Sequence, residues 1–443
     1  MRTLHHPAAL AASAAAPDSA EARIDAAFEY AYPLYALART RWQAVHAPGR
    51  PAGHESNRLL HERRLADHTA RWITAPNNDT LYSNAWIDLA AGQVQVRVRE
   101  MPPGRYWSVA LLDAFTNHIA VIGQRLEGAG PVELTLIGPD CEVPADAARQ
   151  RLVRTPGTDV WLFARCLVEG PDDLPRAHAM QDRLEIRPLA GAAAAAPPAQ
   201  PVDSADAANF LAVVNAVLAR NPAPPDDAQL LAPLAAVGLD AGDTDAWERI
   251  GAPLRDLWRA RIGPLHERLR SAGQHGRRDF QGWIAAAADI GNFGRNHALR
   301  ASVALGGLGA LEPHEAMYFV RYLDDRGVPL HGRRAYRLRV PPSGVPTESF
   351  WSFTMYEATA DGQRILVDNP LRRYSVGNRT PGLHLDADGA LDLLVQHTPP
   401  ADARARSNWL PAPAGPFQIA LRAYLPRAEL REGRAPMPTL NPW

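Results

Sequence analysis

Two stretches of this chain repeat one pattern, and together they limit what it can fold into. Residues 106 to 114 read Tyr-Trp-Ser-Val-Ala-Leu-Leu-Asp-Ala, and residues 350 to 358 read Phe-Trp-Ser-Phe-Thr-Met-Tyr-Glu-Ala. Each follows an alternating run and a Pro-Pro turn. Val94, Val96 and Val98 alternate with Gln93, Gln95, Arg97 and Arg99 before the first stretch; Tyr336, Leu338 and Val340 alternate with Arg337 and Arg339 before the second. A period of two puts every second side chain on a core and its neighbours on a polar face. Further strands are expected at 119–122, 132–136, 160–165, 391–395 and 417–424. Closely spaced strands with Gly and Pro turns predict a sandwich or jelly roll. The echo predicts two of them, a chance likeness of two aromatic strands being the alternative.

Elsewhere the period is that of a helix. Ile24, Phe28, Ala31, Tyr35 and Ala38 follow Asp18 and Glu21, which have the spacing of a capping box, and Pro33 should perturb this helix. Asp203 is placed to cap a helix carrying Phe210, Leu211, Val214 and Val217. Trp247 to Leu265 marks a longer one, 283–290 and 295–305 read as short helices, and Pro313 should open another bearing Met317, Tyr318 and Tyr322. The expected fold class is α+β, mainly β: a disordered leader at 1–20, a helical segment at 21–74, a first β-sandwich at 75–190, an Ala/Pro linker at 191–202, a helical hinge at 203–330 and a second β-sandwich at 331–443. At 443 residues two or more domains are expected.

Composition removes several function classes. The formal charge of −1 gives no bulk attraction to nucleic acid or a membrane surface. The chain has no lysine, so Schiff-base and P-loop chemistry are excluded. Two cysteines, Cys141 and Cys166, allow one bridge at most and no all-Cys zinc site. No run approaches the ~20 apolar residues of a membrane span. The Ala-rich start lacks a Leu-rich signal core, so a cytoplasmic location is expected, with export as the alternative. His54, His61 and His68 recur every seven residues, and on a helix that spacing would be too wide for one metal ion.

The densest polar chemistry is Ala-Pro-Asn-Asn-Asp-Thr-Leu-Tyr-Ser at 75–83. Pro76 disfavours a helical Ala75, so the packet should begin as a turn. Asp79 is a candidate acid or base, Tyr82 a proton donor or relay, and Asn77, Asn78 and Thr80 candidate substrate ligands. His61, shortly upstream, is the best-placed histidine base. Arg105 with Tyr106, and Arg373 with Tyr374, could hold an anion or stack on a ring. Trp351 and Tyr356 on the echoed strand are further binding candidates. An Asx-turn leading into a strand explains the packet equally simply.

These residues resemble a known pairing. Pro76 to Ser83, Trp86, Asp88 and the upstream Asn57 and His61 are similar to the domain-of-unknown-function family 1254, as is the 112–117 run Leu-Asp-Ala-Phe-Thr-Asn. Arg300-Ala301, Gly307-Leu308-Gly309, Glu315-Ala316-x-Tyr318, Phe350-Trp351-Ser352, Arg373-Tyr374-Ser375 and Asn408 to Pro413 resemble family 1214. The resemblance implies two jelly-roll-like domains joined by a helical segment. It adds Asn57 to the binding candidates. The resulting expectation is a cofactor-independent hydrolase or lyase acting on a polar small molecule or glycan-like substrate. A metal-dependent enzyme with oxygen and histidine ligands is one alternative, and a non-catalytic ligand-binding or assembly protein is another. A homodimer is plausible.

Overall fold

The computed structural model describes residues 18–51, 53–71, 74–142, 151–189, 199–272, 276–359 and 363–443. Most of the expected leader and of the Ala/Pro linker lies outside them. The fold is mainly antiparallel β with a helical layer.

In the N-terminal half, β1 (Leu60–His61), β2 (Thr80–Asp88), β8 (Asp159–Leu167), β4 (Trp107–Leu112) and β5 (His118–Gly123) form one sheet in the order β1-β2-β8-β4-β5. Facing it are β7 (Leu152–Arg154), β6 (Val132–Ile137), β3 (Val94–Val98) and β9 (Leu184–Pro188), in the order β7-β6-β3-β9. The alternating valines 94, 96 and 98 meet Ala85, Ile87, Trp107, Val109 and Leu111 in one core.

The C-terminal half repeats this plan. Its first sheet runs β10 (Arg278–Phe280), β11 (Trp283–Ala285), β12 (Ala316–Arg321), β19 (Phe417–Tyr424), β14 (Trp351–Ala358), β15 (Arg364–Leu366), with β16 (Ser375–Gly377) also on β14. Its second sheet is β18 (Trp409–Pro411), β17 (Leu391–Gln396), β13 (Tyr336–Val340), β20 (Thr439–Pro442). In each half the outermost strand of the second sheet, β7 or β18, is parallel to its neighbour.

Strand registers align the halves residue by residue. Ser108 lies opposite Arg165 as Ser352 lies opposite Arg422, and Tyr82 opposite Arg165 as Tyr318 opposite Arg422. Gly123 and Gly377 occupy the same place beside those serines. The echo seen in the sequence is therefore a repeat of topology and register.

Helices Ala20–Arg41, Ala207–Arg220, Ala252–Ala272 and His297–Gly306 pack into a further core, which also takes in Trp86, Leu112 and Trp161 from the outer face of the first sheet. Ser19 caps the first helix, one residue beyond Asp18, because its Oγ accepts from Ala22 N at 3.1 Å. Pro33 does not end that helix, which continues to Arg41. Its burial from Tyr30 to Leu37 offsets the ~3 kcal/mol of an interior proline. Asp206, not Asp203, caps the second helix; Asp203 closes the preceding turn by accepting from Ala205 N.

The stretch 203–330 is only partly the helical hinge expected of it. Residues 283–285 and 316–321 are strands β11 and β12. Met317 and Phe319 face the second core, and pairing with β19 along six residues overrides the helical reading of so short an apolar run. His54, His61 and His68 do not share a helix: His61 is on β1 and the others are in loops.

Candidate functional site

The outer sheet faces of the two sandwiches meet, and the 75–83 packet lies between them. Asn77 Oδ1 accepts from Asp79 N at 2.7 Å, making the Asx-turn, while its Nδ2 donates to Thr80 Oγ1 and to Tyr424 OH in the second unit, both at 3.0 Å. Asn78 Nδ2 donates to Ala66 O. Asp79 is buried, and Ser352 Oγ donates to its Oδ2 at 2.6 Å and Ser375 Oγ to its Oδ1 at 3.4 Å. Tyr356 OH donates to Pro76 O at 2.6 Å, and Arg422 Nη2 to Ala75 O at 3.1 Å. Ala75 sits at φ 51°, a left-handed conformation costly for alanine. It is held there by those contacts and by its own N donating to Arg364 O at 2.8 Å. The packet is a clasp onto the second unit.

The repeat supplies a reciprocal clasp. Asp79 precedes β2 as Glu315 precedes β12, and Val168 N donates to Asp79 O as Leu425 N donates to Glu315 O. Glu315, 1% exposed, accepts from Tyr106 OH of the first unit at 2.9 Å, and the same hydroxyl lies 3.0 Å from Ser108 Oγ. Two residues past the paired glycines stand Arg125 and Arg379. Arg125 Nε donates to Glu315 at 2.8 Å, and Arg379 contributes positive charge beside Asp79. Burial pushes the Glu315 carboxyl up, and Arg125 and Tyr106 pull against that. Tyr106 and Phe350, equivalent in the two units, touch edge to face at 5.7 Å, as expected near a two-fold axis.

One equivalence fails, and it marks the site. Arg422 is fully engaged: Nη1 donates to Thr354 Oγ1 at 2.7 Å and Nη2 to Tyr356 OH at 2.6 Å. At the matching positions of the first unit stand Ala110 and Leu112, which offer nothing to Arg165. Arg165 is 4% exposed, its Nη2 donates to Gly309 O at 2.7 Å, and its Nη1 has no partner among the described residues. No carboxylate pairs with it among the described residues; the ionisable groups near it include the phenols of Tyr318, Tyr82, Tyr424 and Tyr106 and the buried imidazole of His118, which burial first and the Arg165 charge second keep neutral.

Arg165 ends an aromatic ladder along this sheet. Trp86 stacks on Trp161 at 5.1 Å, Trp161 on Phe163 at 4.6 Å, and Phe163 meets Tyr82 at 4.8 Å. The guanidinium lies 4.3 Å from the Phe163 centroid and 5.5 Å from that of Tyr82. Tyr82, Asn84, Phe163 and Leu308 keep part of their surface accessible. They form the partly accessible edge of the ladder beside the glycine-rich loop 306–311. Gly309, at φ 78°, lies so close that a Cβ there would come within 2.9 Å of Trp161 and 3.0 Å of Phe163.

The remaining sequence candidates do not gather here. His61 Nδ1 is 2.8 Å from Ser83 Oγ, across β2 from the face that carries Tyr82, and burial lowers its imidazole. Asn57 reads the backbone of Asp88, accepting from its N at 2.8 Å and donating to its O at 3.3 Å. Arg105 is spent on a buried fork with Asp173 and on Leu167 O. Arg373 ties down Ser407 O and Trp409 O, Tyr374 OH bonds His68 Nδ1 at 2.8 Å, and Trp351 fills the second core. Tyr106 and Tyr356 belong to the clasps. Both cysteines are free, and burial takes the Cys166 thiol up to about 12. Among the described residues no three His, Cys, Asp or Glu side chains group as metal ligands, and no helix is long and apolar enough to cross a membrane.

Arg165 and the ladder escaped the sequence reading because each residue looks like ordinary strand filling. A second echo was available: Asp79-Thr80-Leu81-Tyr82 matches Glu315-Ala316-Met317-Tyr318, and with it Arg165 aligns with Arg422.

Comparison with known proteins follows the same division. The family described as Protein of unknown function (DUF1254) matches residues 56–188, and Protein of unknown function (DUF1214) matches residues 315–428. The crystal structure of the VPA0106 protein from Vibrio parahaemolyticus is similar in fold, at 24% identity and a TM-score of 0.71, over 96% of this chain and 100% of that one. An uncharacterized protein from Burkholderia cenocepacia is similar at 16% identity and a TM-score of 0.45, over 97% of this chain and 90% of its own. No curated protein matches the chain.

Proposed function

We propose that this chain, which carries a DUF1254 region and a DUF1214 region in series, binds a small polar molecule in a crevice that opens at this edge of the ladder, beside the loop 306–311. The observation that carries this reading is the half-accessible row Tyr82, Asn84 and Phe163 beside the buried Arg165 guanidinium. Recognition sites are typically apolar concavities with a few fixed polar groups. Here the ladder supplies the apolar wall, and Asn84, Tyr82 and Arg165 the polar groups. Burial raises the neighbouring Tyr318 phenol, so it stays a neutral donor. Asp79 and His61, the expected acid and base, are bonded elsewhere, so binding is favoured over hydrolysis or elimination.

The test is a ligand-observed NMR screen of polar small molecules against the wild-type chain and Leu308→Trp, which fills the crevice. Hits should bind the wild type and be lost in the variant, with unchanged melting temperature. Hits that bind both proteins equally, or a library with none, would overturn the assignment.

A further inference from the structure

We infer that the crevice selects a planar carboxylate, an aromatic or conjugated monoacid, with Arg165 as its anion anchor. This rests on the binding reading above and adds the ligand's chemical class. The repeat provides an internal control. At one of two equivalent positions the guanidinium is saturated by Thr354, Tyr356 and Ala75 O; at the other the residues that would saturate it are Ala110 and Leu112. An arginine kept charged in the interior, with a whole Nη1 amino group unbonded among the described residues, needs an acceptor. A carboxylate is the acceptor its fork matches best. The surroundings favour an outside anion because no carboxylate pairs with Arg165 among the described residues, and the phenols around it can donate to the same oxygens.

The planar body follows from the ladder. A ring lying along Phe163 and Tyr82 continues the stack that runs from Trp86 through Trp161. Nη1 is buried, and the adjoining Nη2 is held by Gly309 of the loop 306–311. The carboxylate reaches it as that loop lifts from Trp161 and Phe163, its oxygen replacing the Gly309 carbonyl on Nη2. Gly306, Gly307 and Gly309 give the loop the backbone freedom for this.

The experiment is titration of the full-length protein with benzoate, benzamide and acetate, read by tryptophan fluorescence and calorimetry. Benzoate should bind at least about tenfold more tightly than the other two, because each lacks either the charge or the ring. Arg165→Gln should abolish that preference. Ala110→Ser places a hydroxyl where the second unit has Thr354. It should weaken benzoate about tenfold by occupying Nη1 while leaving the protein as stable as wild type or more so. This variant keeps the inference testable if Arg165→Gln does not fold. Equal binding of benzoate and benzamide, both lost in Leu308→Trp, would leave the crevice reading standing and sink the anion anchor. Failure of benzoate to bind at millimolar concentration, or binding indifferent to Ala110→Ser, would sink it as well.

Discussion

Asp79 is the residue whose replacement best separates a clasp from a catalyst. Its carboxylate is buried, accepts from Ser352 at 2.6 Å, and lies in the field of Arg379 and Arg422. Asp79→Ala removes the carboxylate that faces both guanidinium groups, leaving Glu169 near Arg379 alone. Stripping one partner from a buried charge cluster costs about 3–5 kcal/mol. Asp79→Asn keeps the shape and can still accept from Ser352, so its cost is that of charge alone, about 1.5–3 kcal/mol. A double-mutant cycle with Ser352→Ala isolates the contact between the units, and a hydrogen bond to a charged group predicts a coupling of about 1.5–3 kcal/mol. The assay is urea unfolding followed by tryptophan fluorescence, with all four proteins at one pH and salt. Coupling within about 0.5 kcal/mol of zero would refute the clasp. A catalytic Asp79 would give the opposite signature, with unfolding unmoved and turnover lost. By the repeat, Glu315→Gln should destabilise through the same mechanism, with Arg125 left without its buried partner.

Two further outcomes follow from buried ionisable groups. His118 has both ring nitrogens sealed with no partner among the described residues, and burial lowers its imidazole to about 4. The unfolded chain takes up that proton first, near the ordinary histidine value, so stability is complete above about pH 6.5 and is lost as pH falls toward 4, by roughly 3 kcal/mol in all. His118→Leu should reduce the pH slope of unfolding free energy in that window by about one proton, ~1.4 kcal/mol per pH unit; an unchanged slope would remove His118 from the titration. Arg105, 6% exposed and forked onto Asp173, should act structurally. Arg105→Met should cost about 3–5 kcal/mol in chemical denaturation. In a preparation that still folds, benzoate affinity should be unaltered, and a selective loss of affinity would place Arg105 in the crevice.

The strands were legible where alternation is strict and one face is wet, as at 94–98 and 336–340. Where both faces of a strand carry apolar or aromatic side chains, as Ala-Met-Tyr-Phe-Val does at 316–320, the run has no polar alternation and resembles a helix, although its burial does alternate from Met317 to Arg321. The hallmark packet was legible as an Asx-turn but not as a clasp. Its partners Ser352, Tyr356 and Tyr424 lie more than 270 positions away, and only the pairing of β14 with β19 brings them to one face. Arg105 and Arg373 were overvalued for the converse reason. An arginine next to a tyrosine reads as a binding fork until its acceptors, Asp173 in one case and the carbonyls of Ser407 and Trp409 in the other, are seen to use it up.

The paired clasps also bear on why the anion anchor sits in the first unit. A two-fold interface between repeated units presents every contact twice. Asp79 with Ser352 and Glu315 with Tyr106 and Ser108 are such a pair, and both are closed. The Arg165 and Arg422 positions are another, and only one is closed. Two satisfied clasps already hold the units, so one arginine can be released from its intra-sheet partners without opening the interface. The position that was released lies on the aromatic ladder; its equivalent faces Ala420 and Gln418 where the first unit has Phe163 and Trp161. A guanidinium freed there gains a stacking wall for whatever anion it meets. One freed at Arg422 would have none, and would also surrender Ala75 from its strained turn. On this argument Arg422→Gln should destabilise the protein through the clasp while leaving the preference for benzoate over benzamide intact, and Ala110→Ser should do the reverse. An Arg422→Gln protein that folds but has lost the preference would show that the two arginines still act as an equivalent pair.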